Sequence, residues 1–556
     1  MTDRSFSSPI GSTGARAWRP VGILVAICFL FLLTAAALAK PGDLTNSFDG
    51  DGIAQLGSNT RLFGAAVQPD GKLVAVGEQE TAGGGTNALV VRFTSAGALD
   101  RTFSGDGMFV GGAGTTARGV DVQGSNIVVA GSLTGAGGGM LAIRLKANGS
   151  ADRSFSGDGV ATALVGRAGE AHAVALQGSK IVLAGGARLA DQSDAFVRVA
   201  LARFNSNGSP DGSFGQAGTV VQDFGRLSLA NSVAVQGQKI VVGGQQRNNL
   251  QTTNLLAARF NDNGAPDGGF GGNAGLPGLF VQQYAKSGGY SAALGVVIDG
   301  SGRVVLGGGA SNGSSDPEGF DALAVRLRAN GTPDPAFSGD GAVYLPATSN
   351  KSQFNGVEPF PGAHGVVLSG NNIVLGGYFD ALTEKQLAVW ALSPGGSPVA
   401  GFGTAGRTVT PFQGGAELSG LAVAPNVIYG VGASSTLFDL PKGIAARYTG
   451  FPSPVQLSVV VKHSYKLGPA LRRGIPVTFV CDQACTINAV LKALGTTVAK
   501  AKGKLTGAGR KTLKLRFTAA GKRKLVDKSR VAAKLISTAK GGGKTDKVTK
   551  SIVLKG

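Results

Sequence analysis

The sequence predicts an all-β protein, with a seven-bladed β-propeller followed by a small immunoglobulin-like β-sandwich. Three observations lead to this fold class. A short Gly-rich phrase recurs seven times, each interval holds four short β-branched runs, and the C-terminal segment differs sharply in charge from the rest. Because the phrase returns at a nearly constant spacing, it indicates one supersecondary unit that is stacked repeatedly.

The repeated phrase is centred on a phenylalanine that is followed by a Gly-rich turn. Its seven copies are Phe48, Phe103, Phe155, Phe214, Phe270, Phe337 and Phe402. Since every unit carries one such ring, we expect it to fill the wedge between neighbouring blades.

One unit shows the strands of the repeat. After Phe103 come β-branched runs at 108–110, 119–122, 127–131 and 141–145, separated by turn residues, which is typical of four strands. A tight turn joins the second run to the third, and Asp70-Gly71 in the first unit suits a type I′ hairpin. Matching turn glycines are expected at Gly124, Gly178, Gly237, Gly300 and Gly370. The third strand is expected to end at Gly77, Gly131, Gly185, Gly243, Gly307, Gly376 and Gly432.

Four short strands in each interval match one propeller blade in size. Seven units are enough to close a ring, and closure removes the end surfaces that an open stack must cap. An open β-solenoid is the alternative, but it usually has shorter coils and dedicated caps.

The chain between positions 42 and 450 resembles the delta-60 repeat family, which carries a Gly-x-x-Asp-x-x-Phe-Gly signature and an Asp-Gly-Lys hairpin. The signature aspartates are Asp100, Asp152, Asp211, Asp267 and Asp334, each placed shortly before its phenylalanine. Thr45 and Val399 replace the aspartate in the first and last copies, and the hairpin motif is literal only at Asp70-Gly71-Lys72. The resemblance implies an extracytoplasmic bacterial repeat protein, and it brings no known reaction or agreed ligand.

The N-terminal segment, 1–39, has the pattern of an export signal. A basic flank precedes an uncharged apolar run at 21–39, which closes on Ala37-Leu38-Ala39. This pattern is typical of a signal peptide, although the run is also long enough for a membrane anchor. Either reading places the repeats, at 40–452, outside the cytoplasm, as a secreted or cell-surface protein.

The positive charge is concentrated in the segment 453–556. It holds 23 Lys and Arg against three Asp, a balance of +20 that equals the net charge of the whole protein. Short alternating strands are predicted at 457–461, 477–480, 487–494, 512–517, 531–536 and 548–554, as in an immunoglobulin-like sandwich. Such charge attracts anionic envelope polymers or lipid headgroups, or it is simply solvated. Nucleic acid is an unfavoured partner because few aromatic side chains interleave the lysines.

Cys481 and Cys485 are the only cysteines outside the apolar N-terminal run. In an oxidising compartment a close pair is most simply a disulfide, and free thiols are the alternative. A zinc site needs four ligands, and only His463 lies nearby in sequence.

Repeated polar residues are expected to build the blades and not to catalyse, because a catalytic group is normally needed once. The signature aspartates suit Asx turns, and the fourth-strand arginines Arg92, Arg144, Arg203, Arg259, Arg326 and Arg447 suit bidentate partners or stem packing. Asp49 and Asp51 are the calcium candidates, since only the first unit offers two carboxylates at i and i+2. A structural turn is the alternative for them, and no other cofactor is expected.

Two histidines, His172 and His364, lie just before or within second strands, where inner strands face the axis of a ring. They are the acid–base candidates, although a lone histidine there is more often a hydrogen-bonded core residue. No H-E-x-x-H or Walker pattern is present.

Alternating strand direction separates the connections between two faces of the ring. Connections between second and third strands and the Asp–Phe connections share one face and are nearly uniform in sequence. The other face carries segments that vary widely, at 78–87, 187–199, 245–254, 310–321 and 378–386. Variable loops on a rigid scaffold are where binding is usually placed.

The sequence therefore predicts an exported, monomeric binding or interaction module for an extracellular protein or glycan. A secreted propeller enzyme, such as a polysaccharide lyase or hydrolase with a site at the ring axis, is the alternative. An enzyme should bring non-repeated His, Glu, Asp or Tyr side chains into the central channel, whereas a binding scaffold should show only repeated positions there.

Overall fold

The computed structural model describes residues 39–134, 138–188, 197–248, 252–272, 275–286, 289–312, 320–346, 362–381, 384–434, 440–451, 457–481, 485–505, 509–541 and 544–556. The export segment predicted at 1–39 lies outside these ranges except for its last residue. In the described ranges, no helix has the length and apolar character needed to cross a membrane.

Seven four-stranded antiparallel sheets form the blades of a β-propeller, as predicted. Blade 1 holds β2 (Thr60–Val67), β3 (Leu73–Glu80), β4 (Thr86–Phe93) and β5 (Met108–Ala113). Blade 2 holds β6 (Thr115–Gln123), β7 (Asn126–Leu133), β8 (Met140–Leu145) and β9 (Val160–Ala163). Blade 3 holds β10 (Ala168–Gln177), β11 (Lys180–Arg188), β12 (Val197–Phe204) and β13 (Thr219–Gln222). Blade 4 holds β14 (Ser228–Gln236), β15 (Lys239–Arg247), β16 (Thr253–Phe260) and β17 (Leu279–Gln282).

The remaining blades complete the ring. Blade 5 holds β18 (Ser291–Ile298), β19 (Val304–Ser311), β20 (Phe320–Leu327) and β21 (Ala342–Pro346). Blade 6 holds β22 (Gly362–Ser369), β23 (Asn372–Asp380), β24 (Lys385–Leu392) and β25 (Arg407–Thr410). Blade 7 holds β26 (Ala416–Ala424), β27 (Val427–Ser434), β28 (Lys442–Thr449) and, from the start of the chain, β1 (Ile53–Ser58). The innermost strand of each blade contacts that of the next, and β26 contacts β2.

The sequence repeat and the structural blade are offset by one strand. The run after Phe103, expected to open its own unit, is β5, and it pairs with β4 of the preceding blade. For the same reason β1, which follows Phe48, pairs with β28 as the outer strand of blade 7. The two ends of the repeat array are thus hydrogen-bonded in one sheet, and this shared blade closes the ring.

Every innermost strand has a bulge at the same place. The pairing of the first two strands of each blade skips one residue, and the skipped residues are Phe63, Arg118, His172, Asn231, Leu294, His364 and Ser419. A bulge leaves one residue unpaired and redirects it relative to the ladder. We call these seven the hub residues.

The bulge explains the glycines that recur in the third strand of the sequence unit, which is the second strand of the blade. A Cβ on Gly131 would lie 1.8 Å from the carbonyl oxygen of Thr116, and one on Gly185 would lie 1.9 Å from that of Glu170. The sequence predicted that the strands end at these glycines. In the structure the strands continue past them. In blades 4 and 5 the glycine that meets this carbonyl is Gly244 or Gly308, which directly follows the predicted Gly243 or Gly307.

The first hairpins of blades 2, 3, 4 and 6 have a positive φ at the predicted Gly124, Gly178, Gly237 and Gly370, whereas those of blades 1 and 5 differ from the prediction. Of Asp70 and Gly71 only Gly71 has a positive φ, 85°, so the turn is not type I′, which needs two such residues. In blade 5 the positive φ belongs to Gly302 and not to the predicted Gly300.

A repeated contact joins each of blades 1 to 5 to the blade that follows it. In blade 2, Arg144 Nε donates to Asp152 Oδ2 at 2.8 Å, and the guanidinium lies 4.7 Å from the Phe155 ring centroid. Arg144 Nη1 also donates to the carbonyl oxygen of Ser206 in blade 3 at 2.5 Å. We call the Arg–Asp–Phe triplet the staple. It recurs as Arg92–Asp100–Phe103, Arg203–Asp211–Phe214, Arg259–Asp267–Phe270 and Arg326–Asp334–Phe337.

The seven repeated phenylalanines are buried between blades. Phe155, for example, packs in a cluster that contains Val128 of blade 2 and Leu183 of blade 3. The other six occupy the corresponding clusters at the remaining blade interfaces.

A separate β-sheet region follows the propeller. It holds β29 (Leu457–Val460), β30 (Ser464–Lys466), α1 (Leu467–Arg473), β31 (Ile475–Cys481), β32 (Cys485–Ala493), β33 (Thr496–Leu505), β34 (Gly509–Phe517), α2 (Ala519–Leu525), β35 (Arg530–Gly541) and β36 (Lys544–Lys555). The six predicted strands correspond to β29, β31, β32, β34, β35 and β36. The pairings β29–β31–β34 and β32–β35–β36 agree with the A-B-E and C-F-G order of an immunoglobulin-like sandwich. Because β33 pairs with both β32 and β34, it links the two sets, and the immunoglobulin-like assignment stays a prediction.

Candidate functional site

The central channel is lined by the seven innermost strands. Its cavity measures about 730 Å³, and six of the hub residues line it: Phe63, Arg118, His172, Asn231, Leu294 and Ser419. The backbone of His364 occupies the matching bulge of β22, but its side chain lies outside the description. The hub therefore presents a different side chain in each described blade, with apolar, cationic, amide and hydroxyl groups around one opening.

Small residues follow the hub residues because the inner strands approach one another closely. A Cβ on Gly420 would lie 2.4 Å from the carbonyl oxygen of Phe63, and one on Gly64 would lie 2.7 Å from that of Arg118. The backbone thus holds each bulge in place, while the hub side chain itself is free to vary.

Several charged groups of the channel form opposite-charge contacts. Arg61 Nε lies 3.7 Å from Glu80 Oε1, and Lys385 Nζ lies 2.8 Å from Glu417 Oε2. The guanidinium of Arg118 lies 4.5 Å from the Phe63 ring centroid, a cation–π distance.

His172 lies beside a carboxylate. Its Nε2 is 3.7 Å from Glu170 Oε2, and the His172 side chain is 22% exposed. The contact with His172, together with the charges of Arg118 and Arg188, lowers the pKa of Glu170 despite the opposing effect of burial. Glu170 is therefore a carboxylate at neutral pH, able to accept hydrogen bonds.

Asp49 and Asp51 lie in a turn before β1. Asp51 Oδ1 accepts the backbone N–H of Ile53 at 2.8 Å. The later copies repeat this contact, as when Asp106 Oδ1 accepts the N–H of Met108 at 2.9 Å. In the described part of the chain, no group of three or more His, Cys, Asp or Glu side chains could hold a metal ion.

Cys481 and Cys485 are joined by a disulfide between the end of β31 and the start of β32. The signature aspartates lie in the connections before the outer strands, where Asp152 Oδ1 accepts the N–H of Ser154 at 3.1 Å. Neither set lines the channel.

Sequence reasoning identified two hub residues, the histidines, and missed the other five. Comparing the repeats for shared residues could not find positions whose identity changes from blade to blade. A positional signal does exist, because each hub residue directly precedes Gly, Ala or Ser. In blades 1 to 5 and 7, the next strand also carries the glycine whose Cβ would meet a carbonyl oxygen. Arg118 and Gly131 show this spacing in blade 2, as do His172 and Gly185 in blade 3.

The two faces of the ring carry different connections, as the strand directions require. The uniform face carries the hairpins between the first two strands of each blade and the Asp–Phe connections. The variable face carries the connections between second and third strands and those between blades. The predicted variable segments belong to the variable face, although parts of them, such as 189–196, 249–251 and 313–319, lie outside the described residues.

Comparison with known proteins gives few matches in sequence. No curated protein matches the chain. Drosophila Semaphorin 2a aligns with 93% of this chain and 98% of its own at 8% identity and a TM-score of 0.40. Chaetomium thermophilum Sqt1 aligns with 84% and 98% at 11% identity and a TM-score of 0.36. Trypanosoma rangeli sialidase aligns with 88% and 84% at 7% identity and a TM-score of 0.34.

At TM-scores below 0.5, these similarities support no inference about function. The resemblance to the delta-60 repeat family stays a prediction. Residues 68–103 and 179–214 match a family model described as a domain of unknown function (DUF5122) beta-propeller, and this match fits the propeller repeat of the chain.

Proposed function

We propose that the protein is an exported binding module that recognises an extracellular ligand through the variable face and the mouth of the central channel. One observation carries this proposal: repeated residues occupy the blade interfaces and the uniform face, whereas the six hub residues that line the channel differ from blade to blade. A rigid ring with a variable centre is the arrangement expected of a recognition surface. Export rests on the apolar run at 21–39.

The enzyme alternative draws support from the non-repeated His172 and Glu170 near the ring axis. The lowered pKa of Glu170 keeps it ionised at neutral pH, so it is unsuited to donate a proton as a general acid. Glycoside hydrolysis generally uses two carboxyl groups with different protonation states. Glu80 and Glu417 instead lie beside Arg61 and Lys385. The charge arrangement therefore favours binding over acid–base catalysis.

An array of extracellular glycans and proteins tests the proposal. The wild-type chain should bind one or more members of the array. A hub variant, Arg118→Ala with His172→Ala and Asn231→Ala, should bind the same members at least about tenfold more weakly, a loss of about 1.4 kcal/mol in binding free energy. The matched control, Arg101→Ser with Arg153→Ser on the uniform face, should bind as the wild type does. Binding that is insensitive to the hub variant contradicts the proposal, and turnover of a bound polysaccharide supports the enzyme alternative.

We also propose that the C-terminal region contacts anionic envelope polymers. Lys500, Lys502 and Lys504 alternate along β33 and are exposed. Lys492 of β32 lies directly opposite Lys534 of β35. Like charges directly opposite each other destabilise a sheet, which a bound polyanion would relieve.

The acidic side chains of this region do little to offset that charge. Among the described residues they are Asp527, which follows α2, and Asp546, which accepts the backbone N–H of Leu457. The exposed lysines of β33 are therefore available to an external polyanion.

Retention on isolated envelopes at increasing salt tests the second proposal, because electrostatic attraction is screened. Retention should fall steeply with salt, and Lys500→Ser with Lys502→Ser and Lys504→Ser should weaken it. The control removes the same charge from α2 by Lys522→Ser, Arg523→Ser and Lys524→Ser. Equal loss in both variants contradicts assignment to the β33 face, and equal binding to anionic lipid vesicles assigns the contact to headgroups.

A further inference from the structure

A second cavity opens beside the channel on the variable face. It measures about 340 Å³ and lies where the first residues of β10 and β14 meet the last residues of β11 and β15. Its polar lining includes Glu170, His172, Arg188, Gln245, Arg247 and Tyr290. We call it the blade 3–4 pocket. Its volume falls at the lower end of the range typical of small-molecule sites.

We propose that the blade 3–4 pocket binds a small hydroxylated carboxylate, of the size and chemistry of one hexuronic acid unit. This inference rests on the proposed recognition function of the variable face and names the class of ligand that one part of that face takes.

Two arginines supply the recognition of the carboxylate. Arg188 ends β11 and Arg247 ends β15; both are exposed, and neither forms an ion pair with a described residue. By contrast, Arg198 Nε in the same blade lies 2.8 Å from Asp223 Oδ1. A guanidinium without an ion-pair partner presents a planar set of donors that matches a carboxylate in bidentate geometry.

Glu170 and His172 supply contacts for hydroxyl groups. The ionised Glu170 carboxylate accepts hydrogen bonds and repels a second anion, so the ligand carboxylate belongs at the arginines and its hydroxyls at Glu170. A bare dianion such as phosphate fits less well, because it offers few hydroxyl groups to Glu170 and brings more negative charge near it.

The far wall fixes the orientation of a polar group. The Tyr290 hydroxyl donates to Gln245 Oε1, which turns the Gln245 amide nitrogen away from Tyr290 as a donor. Ala187, Val197 and Leu229 line the same cavity and offer apolar surface to the C–H face of a sugar ring. Few polar groups on an apolar wall are typical of a small-molecule site.

Calorimetric titration of the full chain with D-glucuronate, D-glucose and inorganic phosphate tests the proposal. Glucose has the same ring without the carboxylate, and phosphate is an anion without the ring. We expect one glucuronate to bind at least about tenfold more tightly than either. Equal binding of phosphate, or no glucuronate binding, overturns the proposal.

Arginine variants locate the binding. Arg188→Ser with Arg247→Ser should weaken glucuronate by about tenfold or more, and Arg247→Lys should weaken it by less because the charge remains. The control Arg101→Ser with Arg153→Ser removes the same charge from the uniform face and should change nothing. Unfolding midpoints equal to that of the wild type establish that each variant is folded.

The outcome separates this inference from the proposed function. If the array detects a ligand whose binding depends on the hub variant while Arg188→Ser with Arg247→Ser has no effect on glucuronate, the recognition function stands and the ligand assignment of the pocket falls. If the hub variant does not change binding to the array and the arginine variant does not change binding of glucuronate, both the recognition function and the ligand assignment are overturned.

Discussion

At the scale of single residues, the staple explains why Asp, Arg and Phe recur with one spacing. The Arg144 side chain is nearly fully buried, and its guanidinium is satisfied by Asp152, by Ser206 of the next blade and by the face of Phe155. Blade 6 shows the alternative solution, since Ala391 and Val399 replace the arginine and the aspartate together. A buried ion pair can be exchanged for apolar residues when both partners change at once.

This pairing predicts that single and double substitutions differ in blade 2. Asp152→Val alone leaves the buried Arg144 uncompensated and should lower the free energy of unfolding by about 3–5 kcal/mol. Arg144→Ala with Asp152→Val copies the residues of blade 6 and should cost at least about 1 kcal/mol less than the single change. Denaturant unfolding measures both. A double variant that is less stable than the single one contradicts the role given to the staple.

The same carboxylates predict how stability depends on pH. Burial raises the pKa of Asp100, but hydrogen bonds from Thr102 and Lys72 and the charge of Arg92 outweigh it and bring the pKa to about 2. Because the folded pKa is depressed, the stabilisation is complete above the ordinary pKa of about 3.9 and is lost as the pH falls toward 2. The stability advantage of the wild type over Asp100→Asn should therefore shrink by about 2 kcal/mol between pH 5 and pH 2. A constant difference across this interval would refute the linkage.

At the scale of elements, the bulge decides both the repeated glycine and the varied hub. The skipped residue pushes the carbonyl of Thr116 into the space where a side chain on Gly131 would begin. Glycine is therefore required in the second strand of the blade, whereas no such restriction acts on the side chain of Arg118.

Gly131→Ala should accordingly be costly. We expect a loss of about 3 kcal/mol or more in the free energy of unfolding, because the Cβ would stand 1.8 Å from a backbone oxygen. Gly112→Ala in β5 is the matched control, since no atom lies within 4 Å of its added Cβ, and it should change stability by less than about 0.5 kcal/mol. Similar losses in both variants would show that the bulge does not impose the glycine.

The elements also show how far sequence patterns reach. The blade strands were predictable because β-branched runs alternate with turn residues. The closed ring was predictable because the unit recurs seven times. β33 was missed because Lys500, Lys502 and Lys504 alternate with small residues and give little β-branched signal. The strand offset between unit and blade was missed because local pattern does not say which neighbour an outer strand pairs with.

At the scale of the whole molecule, the ring depends on a contact between distant parts of the chain. β1 supplies the outer strand of blade 7, and Phe48 packs between blades 7 and 1 against Tyr429. We therefore expect closure of the ring, and not the individual blade, to be the source of cooperative stability.

Two truncations test the importance of closure. A chain that begins at Ala39 keeps β1 and should unfold cooperatively like the full chain. A chain that begins at Asn59 leaves β28 as an open edge and removes Phe48, so it should unfold at a lower temperature and self-associate in size-exclusion chromatography. Equal unfolding temperatures for the two chains would contradict closure by β1.

The central claim is that repeated residues hold the ring together while the hub is free to serve recognition. Comparing the free energies of unfolding of Arg118→Ala with His172→Ala and Asn231→Ala, and of Arg144→Ala alone, tests it most directly. The account predicts a change within about 1 kcal/mol for the triple hub variant and a loss of about 3 kcal/mol or more for the single staple variant. A hub variant that is destabilised as much as the staple variant would contradict the account.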